Sequence, residues 1–172
     1  EYGINHGPGI LIGETIWAPV NCGYHAEDYK FGKLYQWGRK YGQGYIGYLY
    51  DSDGDAKNTI HSAATSPTPK AGAVSVEDGQ KYENSNFIYN SNASFSYDWA
   101  TPSDSKLWNA GTETEPIKTE YDPCPEGWRV PTLGELTKLK ANSSGWISSS
   151  DGDSGYYFTG NQAYSADKPR IF

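Results

Sequence analysis

Three aspartates in the segment DSDGDAKNTIHS have the spacing of a calcium-binding loop. Asp51, Asp53 and Asp55 occupy its first, third and fifth positions, where carboxylate oxygens would ligate Ca²⁺. The pattern then departs from the EF-hand, because position six is Ala56 instead of Gly and position twelve is Ser62 instead of Glu. The segment favours a solvated acidic turn, with an irregular Ca²⁺ site as the alternative. No other cofactor is predicted.

The histidines and cysteines give no pattern of a catalytic or zinc site. His6, His25 and His61 show no two-histidine spacing, so a zinc site would need ligands from distant loops. Cys22 and Cys124 form either one long-range disulfide or two unrelated thiols. The prolines on both sides of Cys124 and a composition typical of exported proteins favour the disulfide over a reactive nucleophile. We therefore predict no catalytic residues.

Aromatic residues in the middle of the chain are the candidates for ligand contact. Tryptophan and tyrosine rings stack on sugar rings, while neighbouring amides and carboxylates bond the hydroxyl groups. The predicted ligand-contact residues are Tyr89, Tyr97, Trp99, Trp108 and Asn109. The alternative is a role in the core, since Ile, Leu, Val and Phe together number 26 of 172 residues while Tyr and Trp number 15 and 6.

The elements that must position these side chains are short. The segment GILIGETIWAPV, residues 9–20, predicts two core-facing strands joined by a glycine turn. Leu34, Trp37 and Tyr41 have the spacing of one face of a short helix. Residues 50–119 carry Pro, Asn, Ser and Gly clusters typical of loops, within which NFIYN and SFSYDWA predict short strands.

The most distinctive segment is YDPCPEGWRVPTLGEL, residues 121–136. Thr132 and Glu135 have the spacing of a capping box, which marks the start of a helix. Three leucines follow at helical spacing: Leu133, Leu136 and Leu139. The segment predicts a helix over 133–141 with one buried face, preceded by a short buried strand at 128–130.

Length and charge restrict the class of protein. A chain of 172 residues corresponds to about one domain. The net charge of −7, with scattered Lys and Arg, lacks the clustered positive face that binds phosphates, so we predict no nucleic-acid partner. No apolar run is long enough to span a membrane. The chain starts at Glu1 and contains no Met, which predicts a processed or trimmed product.

Three segments in order resemble a known family: IGETIWAPVNCGYH, GKLYQWGRK and DPCPEGWRVPTLGEL. They are similar to the Fibrobacter succinogenes major paralogous domain and to related lipoproteins and fimbrillin-associated proteins of gut Bacteroidetes. The resemblance covers about a quarter of the chain. It implies an extracellular location on a bacterial cell surface.

The run WRVPTLGEL is also similar to formylglycine-generating and sulfatase-modifying proteins, which have a C-type-lectin-like fold. This similarity implies that residues 1–172 are a single α+β domain with two short helices, a small twisted antiparallel sheet and long loops. The catalytic copper-binding cysteines of those enzymes have no counterpart. The sugar-binding signatures of lectins are only echoed, by EPI at 115–117 and WNA at 108–110.

Chains of the family continue past a position like KPRIF into further strands. The resemblance therefore implies that the C-terminal strands of the domain lie outside these residues or come from another chain, which predicts self-association through the C-terminal edge.

Together these observations predict an extracellular, non-enzymatic binding or adhesion module. Its ligand would be a glycan or a protein on a surface, bound by loops between residues 50 and 119. One alternative is a structural subunit of a surface filament or pilus assembled by strand addition. Another is an enzyme of the formylglycine-generating type.

Overall fold

A computed structural model describes nine stretches of the chain: residues 7–24, 32–40, 42–43, 47–50, 56–61, 70–81, 88–90, 98–148 and 155–158. In these stretches the protein is α+β, as predicted, with two helices and short, mainly antiparallel two-stranded sheets. The chain divides into two compact units that interleave along the sequence. Whether they form one C-type-lectin-like domain stays a matter of prediction.

Unit 1 contains Glu1–Gly32, Thr112–Pro116 and Cys124–Phe172, and unit 2 contains Lys33–Gly111 and Ile117–Pro123. The elements of unit 1 are β1 (Ile10–Ile12), β2 (Thr15–Trp17), α2 (Leu133–Ala141), β9 (Gly145–Ile147) and β10 (Gly155–Tyr157). Those of unit 2 are β3 (Leu34–Tyr35), β4 (Gly42–Gln43), β5 (Gly47–Tyr50), β6 (Ala56–His61), β7 (Lys70–Ala71), α1 (Val76–Gln80) and β8 (Ile88–Tyr89).

Strands β1 and β2 form the predicted antiparallel hairpin. Gly13 has a φ of 63°, which glycine adopts without steric cost, so the chain can reverse in two residues. Ile12 is buried, but the cross-strand partners Leu11 and Ile16 are both exposed. The prediction that both strands face the core is therefore wrong for one face of the hairpin, because successive side chains of a strand point to opposite sides.

Helix α2 covers the predicted residues and starts with the predicted capping box. The Thr132 hydroxyl accepts from the Glu135 backbone N–H, and the Glu135 carboxylate accepts from the Thr132 N–H. The predicted buried leucine face is wrong: Leu133 is 76% exposed and Leu136 is also exposed. A spacing of three residues moves each leucine back by about 60° around the helix, so the three do not share one narrow face.

The segment before α2 is not the predicted buried strand. Residues 128–130 belong to no strand and are half-buried. The Trp128 backbone N–H donates to the Pro125 carbonyl at 3.0 Å, which closes a turn. Among the described elements, no strand pairs with residues 128–130, because the chain turns here instead of extending along a neighbouring strand.

Unit 2 has a core built around an aromatic ring. Its buried apolar residues are Ile88, Trp99, Ala100 and Leu107. Val74 and Tyr121 pack against them, and Gly79 lies so close to the Trp99 ring that there is no room for a Cβ atom. With few aliphatic residues in the chain, a buried indole supplies much of the apolar contact area.

The predicted helix around Leu34 and Trp37 is wrong. Leu34–Tyr35 is strand β3, and the chain turns at Gly38, where φ is 80°. Leu107 packs where a Cβ of Gly38 would lie, so the turn depends on tertiary contacts that the local spacing does not reveal. Tyr41, the third residue of the predicted helix face, lies outside the described residues.

The strand predicted in NFIYN is confirmed by β8, which pairs in parallel with β7. Of SFSYDWA, residues 98–100 are described, and Ala100 forms a bridge with Val74. None of the helices in the described stretches is both long and apolar enough to cross a membrane.

Candidate functional site

Two tryptophan rings of unit 2 meet at its surface. The ring centroids of Trp37 and Trp108 are 6.5 Å apart and the planes are tilted by 54°. Trp37 is 42% exposed, and Trp108 is half-buried. An exposed aromatic pair of this kind offers apolar ring faces that a ligand can cover. We refer to Trp37 and Trp108 as the tryptophan pair.

Hydrogen bonds between ring nitrogens and backbone carbonyls hold the tryptophan pair in place. The Trp108 Nε1–H donates to the Arg39 carbonyl at 3.2 Å. The Trp37 carbonyl accepts from Nε1–H of the buried Trp99 at 2.7 Å. The indole N–H of Trp108 therefore bonds a backbone carbonyl, and contacts with a ligand would involve the apolar faces of the ring.

Hydrogen bonds to distant parts of unit 2 fix the turn that carries Trp37. The Gln36 carboxamide bonds both backbone groups of Ile88, donating to its carbonyl at 2.6 Å and accepting from its N–H at 3.1 Å. The Gln80 carboxamide accepts from the Lys40 N–H at 2.9 Å and donates to the Gly38 carbonyl at 2.7 Å. These bonds give Trp37 a defined position before any ligand binds.

Arg39 is the buried polar anchor of the same turn. Its side chain is fully buried, with Nε donating to the Gly79 carbonyl and Nη1 to Gln36 Oε1, both at 3.1 Å. A buried guanidinium is stable only with such partners. Arg39 thus joins the turn to the end of α1.

Asn109 has a structural role next to the tryptophan pair. Its Oδ1 accepts from the backbone N–H groups of Gly111 at 2.9 Å and Ile117 at 2.8 Å. Asn109 also bridges to Lys118 through the backbone. The side-chain oxygen that we expected to contact a ligand therefore closes the base of a loop.

The other predicted site residues have different positions. Trp99 is 3% exposed, which leaves no ring face for a ligand, so it belongs to the core. Tyr89 lies in β8. Tyr97 and the calcium-loop aspartates Asp51, Asp53 and Asp55 lie outside the described residues. Among the residues that are described, no group of three His, Cys, Asp or Glu side chains could hold a metal ion.

Trp37 is the site residue that the sequence did not single out. Its spacing with Leu34 was interpreted as helical, which placed it on one face of a short helix with Leu34 and Tyr41. The glycine directly after Trp37 was the available signal, since Gly after a strand-like run favours a turn.

A small cleft in unit 1 lies between the β1–β2 hairpin and α2. Its volume is about 140 Å³, and its lining includes Ile12, Trp17, Glu135 and Leu139. Small-molecule sites usually have about 300–1,000 Å³. The cleft is therefore too small for a typical ligand.

The Glu135 carboxylate at this cleft is committed to structural bonds. It accepts from Arg129 Nη1 at 2.7 Å and Nη2 at 2.6 Å, and from the Thr132 N–H at 2.8 Å. The Arg129 guanidinium is the main cause that lowers the pKa of Glu135 to about 2. A general acid or base at neutral pH needs a pKa near 7, so Glu135 is unsuited to that role.

Cys22 and Cys124 both belong to unit 1 and are partly buried. Their pairing in a disulfide stays a prediction.

No protein-family model, curated protein or solved structure matches this chain. The resemblance to the Fibrobacter paralogous domain therefore also stays a prediction, and the functional argument depends on the site itself.

Proposed function

We propose that the protein is an extracellular, non-enzymatic binding module of a bacterial surface protein that binds a carbohydrate at the tryptophan pair. The observation that carries the proposal is the pair of the exposed Trp37 and the half-buried Trp108, held by hydrogen bonds to backbone carbonyls. A prearranged aromatic surface loses little conformational freedom when a ligand covers it.

The choice of a carbohydrate follows from the chemistry of the two rings. Indole faces stack on the C–H faces of sugar rings and do not require a charged partner. The net charge of −7 disfavours a polyanionic ligand such as nucleic acid. A C-type-lectin-like arrangement of the α+β elements is part of the proposal and is supported by the sequence resemblance.

Binding to an array of glycans, with and without EDTA, tests the proposal. We expect Trp37→Ala and Trp108→Ala each to weaken binding, so that the half-saturating concentration of any bound glycan rises by about tenfold or more. Ile117→Ala is a matched control in unit 2, because it removes an exposed apolar side chain that is not aromatic. Loss of binding in EDTA would identify a bound Ca²⁺ as part of the site.

The proposal is contradicted if a glycan binds the Trp37→Ala and Trp108→Ala variants with the same affinity as the unaltered protein. The same holds if no glycan on the array binds the folded protein.

A structural subunit of a surface filament is the second candidate. The observation that favours it is the exposed aliphatic surface of unit 1, namely Leu11 and Ile16 on the hairpin and Leu133 and Leu136 on α2. A contiguous exposed apolar patch is typical of a surface that another chain covers, and these four side chains are the candidates for such a patch. Sedimentation velocity over a range of protein concentrations distinguishes the candidates, because a filament subunit forms larger species as the concentration rises.

A further inference from the structure

A second aromatic pair lies in unit 1, on the hairpin of β9 and β10. Trp146 and Tyr156 are direct cross-strand partners, so their side chains share one face of the two-stranded sheet. Their ring centroids are 5.1 Å apart, with an edge-to-face angle of 82°. Trp146 is 58% exposed and Tyr156 is 40% exposed. The two rings therefore form a partly exposed pair that meets nearly at a right angle.

Local bonds define the position of this pair. Trp146 Nε1–H donates to the Ser148 hydroxyl at 3.2 Å, which fixes the orientation of the indole. The Ser144 N–H donates to the Tyr157 carbonyl at 2.9 Å and extends the pairing of the strands. The exposed ring faces are therefore held in a defined arrangement by the hairpin.

The size of the pair indicates the kind of ligand. One aromatic side chain can bury about 150–250 Å², so the two together offer at most about 500 Å². A stable protein–protein interface needs about 800 Å² from each partner. The pair matches a ligand of one or two sugar rings better than it matches a folded protein.

The charge around the pair indicates a neutral ligand. Residues 142–148 and 155–158 contain no Asp, Glu, Lys or Arg, and they supply Asn and Ser side chains that can bond hydroxyl groups. The residues between them in sequence, 149–154, contain Asp151 and Asp153 and no Lys or Arg, so the local sequence offers no positive charge to an anionic ligand. The chain as a whole has a net charge of −7, which disfavours an anionic sugar.

We propose that Trp146 and Tyr156 form a second binding site, for a neutral sugar, in unit 1. The sugar ring stacks on the exposed indole face, and the Tyr156 ring bounds it on one side. This site does not depend on the tryptophan pair of unit 2, so either site can bind a sugar without the other.

Fluorine NMR of protein labelled with 5-fluorotryptophan tests both sites at once. The chain has six tryptophans, and each resonance is assigned from a single Trp→Phe variant. The probes are neutral oligosaccharides of glucose, mannose, galactose and N-acetylglucosamine, titrated one at a time. We expect at least one of them to shift the Trp146 resonance in a saturable way, while the resonance of the buried Trp99 stays unchanged.

Variants at Tyr156 separate a sugar site from a change in folding. Tyr156→Ala should weaken the titration at Trp146 by about tenfold, whereas Tyr156→Phe, which keeps the ring, should leave it within about twofold. An unchanged resonance of Trp17, which lies in β2 of the same unit, shows that unit 1 of the variants is folded.

Two results would overturn this inference. One is a Trp146 resonance that none of the oligosaccharides shifts. The other is a Trp146 resonance that shifts with protein concentration alone, which would mean that a second copy of the chain covers the pair. Shifts at Trp37 and Trp108 report separately on the proposed function, so the two proposals can fail independently.

Discussion

The hydrogen bonds inside unit 1 differ from those inside unit 2 in how far apart in sequence their partners lie. In unit 2, side chains bond backbone groups far away in the sequence: Trp99 reaches Trp37 over 62 residues, and Trp108 reaches Arg39 over 69 residues. In unit 1, the described bonds around α2 are mostly local, with Thr132, Arg129 and Glu135 within six residues of one another. Unit 2 is therefore stabilised by bonds between segments that are distant in sequence, whereas the described bonds around α2 stabilise mainly the helix and its start.

Burial shows the same contrast. Unit 2 contains four of the five buried apolar residues in the described part of the chain, and Ile12 is the one in unit 1. Of the eight large apolar residues that are exposed among the described residues, unit 1 contains six. We infer that aromatic side chains stabilise unit 2 from within, and that the apolar side chains of unit 1 are available to contact ligands or partners.

The largest expected effect comes from removing the central ring of unit 2. Trp99→Ala deletes a buried indole and the bond to the Trp37 carbonyl, so it should lower the free energy of unfolding by about 3–5 kcal/mol. Urea unfolding followed by far-UV circular dichroism measures the loss. Trp146→Ala is the matched control in unit 1 and should lower stability by about 0.5–1.5 kcal/mol, because the exposed ring loses mainly its edge-to-face contact with Tyr156. Equal losses for the two variants would remove the contrast between the units.

The next largest effect is the loss of stability when a glycine with positive φ is replaced by alanine. Two such glycines distinguish the cost of steric overlap from the cost of backbone strain. Gly38 in unit 2 and Gly127 in unit 1 have φ values of 80° and 82°, so alanine is strained equally at both. A Cβ at Gly38 would also meet the Leu107 side chain at 2.5 Å, whereas a Cβ at Gly127 would meet nothing within 4 Å. Gly38→Ala should therefore cost about 2–4 kcal/mol and Gly127→Ala about 1–2 kcal/mol, measured by thermal unfolding. A larger cost at Gly127 would contradict the packing around Leu107.

These two glycines also show how much of the fold the sequence could predict. The capping box and the bounds of α2 were predicted correctly because Thr132 and Glu135 are three residues apart and satisfy each other locally. The turn at Gly38 was predicted as a helix because its bonding partners, Gln80 and Trp108 among them, lie about 40 or more residues away. Local spacing carries information on local bonds and little on distant ones.

The candidate site was predictable only in part, for a related reason. Trp99 and Trp108 are nine residues apart in a stretch of similar composition, and both were predicted to contact a ligand. Trp99 is buried because its ring packs in the core of unit 2, whereas Trp108 is only half-buried. Residue type alone does not distinguish these outcomes, whereas the exposure of each ring does.

A smaller expected effect is the pH-dependent stability that the Glu135 carboxylate contributes to unit 1. The pKa of Glu135 is about 2, lowered mainly by Arg129, against an ordinary value of 4.5. Its contribution to stability is therefore fully present above about pH 4.5 and is lost as the pH falls toward 2. Glu135→Gln should lower the free energy of unfolding by about 1–2 kcal/mol at pH 7, a value discounted for solvent screening, and by much less near pH 2.

Urea unfolding at pH 7, 4 and 2.5 measures this dependence. Glu126→Gln is the control, because Glu126 is an exposed carboxylate of the same segment. A difference between Glu135→Gln and the unaltered protein that stays constant over this pH range would show that the bidentate pair with Arg129 does not stabilise the folded state.

The smallest expected effect tests whether the leucines of α2 lie outside the core. Leu133 is 76% exposed, so Leu133→Ala should change the free energy of unfolding by less than about 0.5 kcal/mol. The same substitution at Leu107, which is fully buried in unit 2, should cost about 2–5 kcal/mol. If both substitutions cost several kcal/mol, Leu133 is covered in the folded protein. The self-associating filament subunit would then become the better explanation of unit 1, and dilution should reduce the cost at Leu133 but not at Leu107.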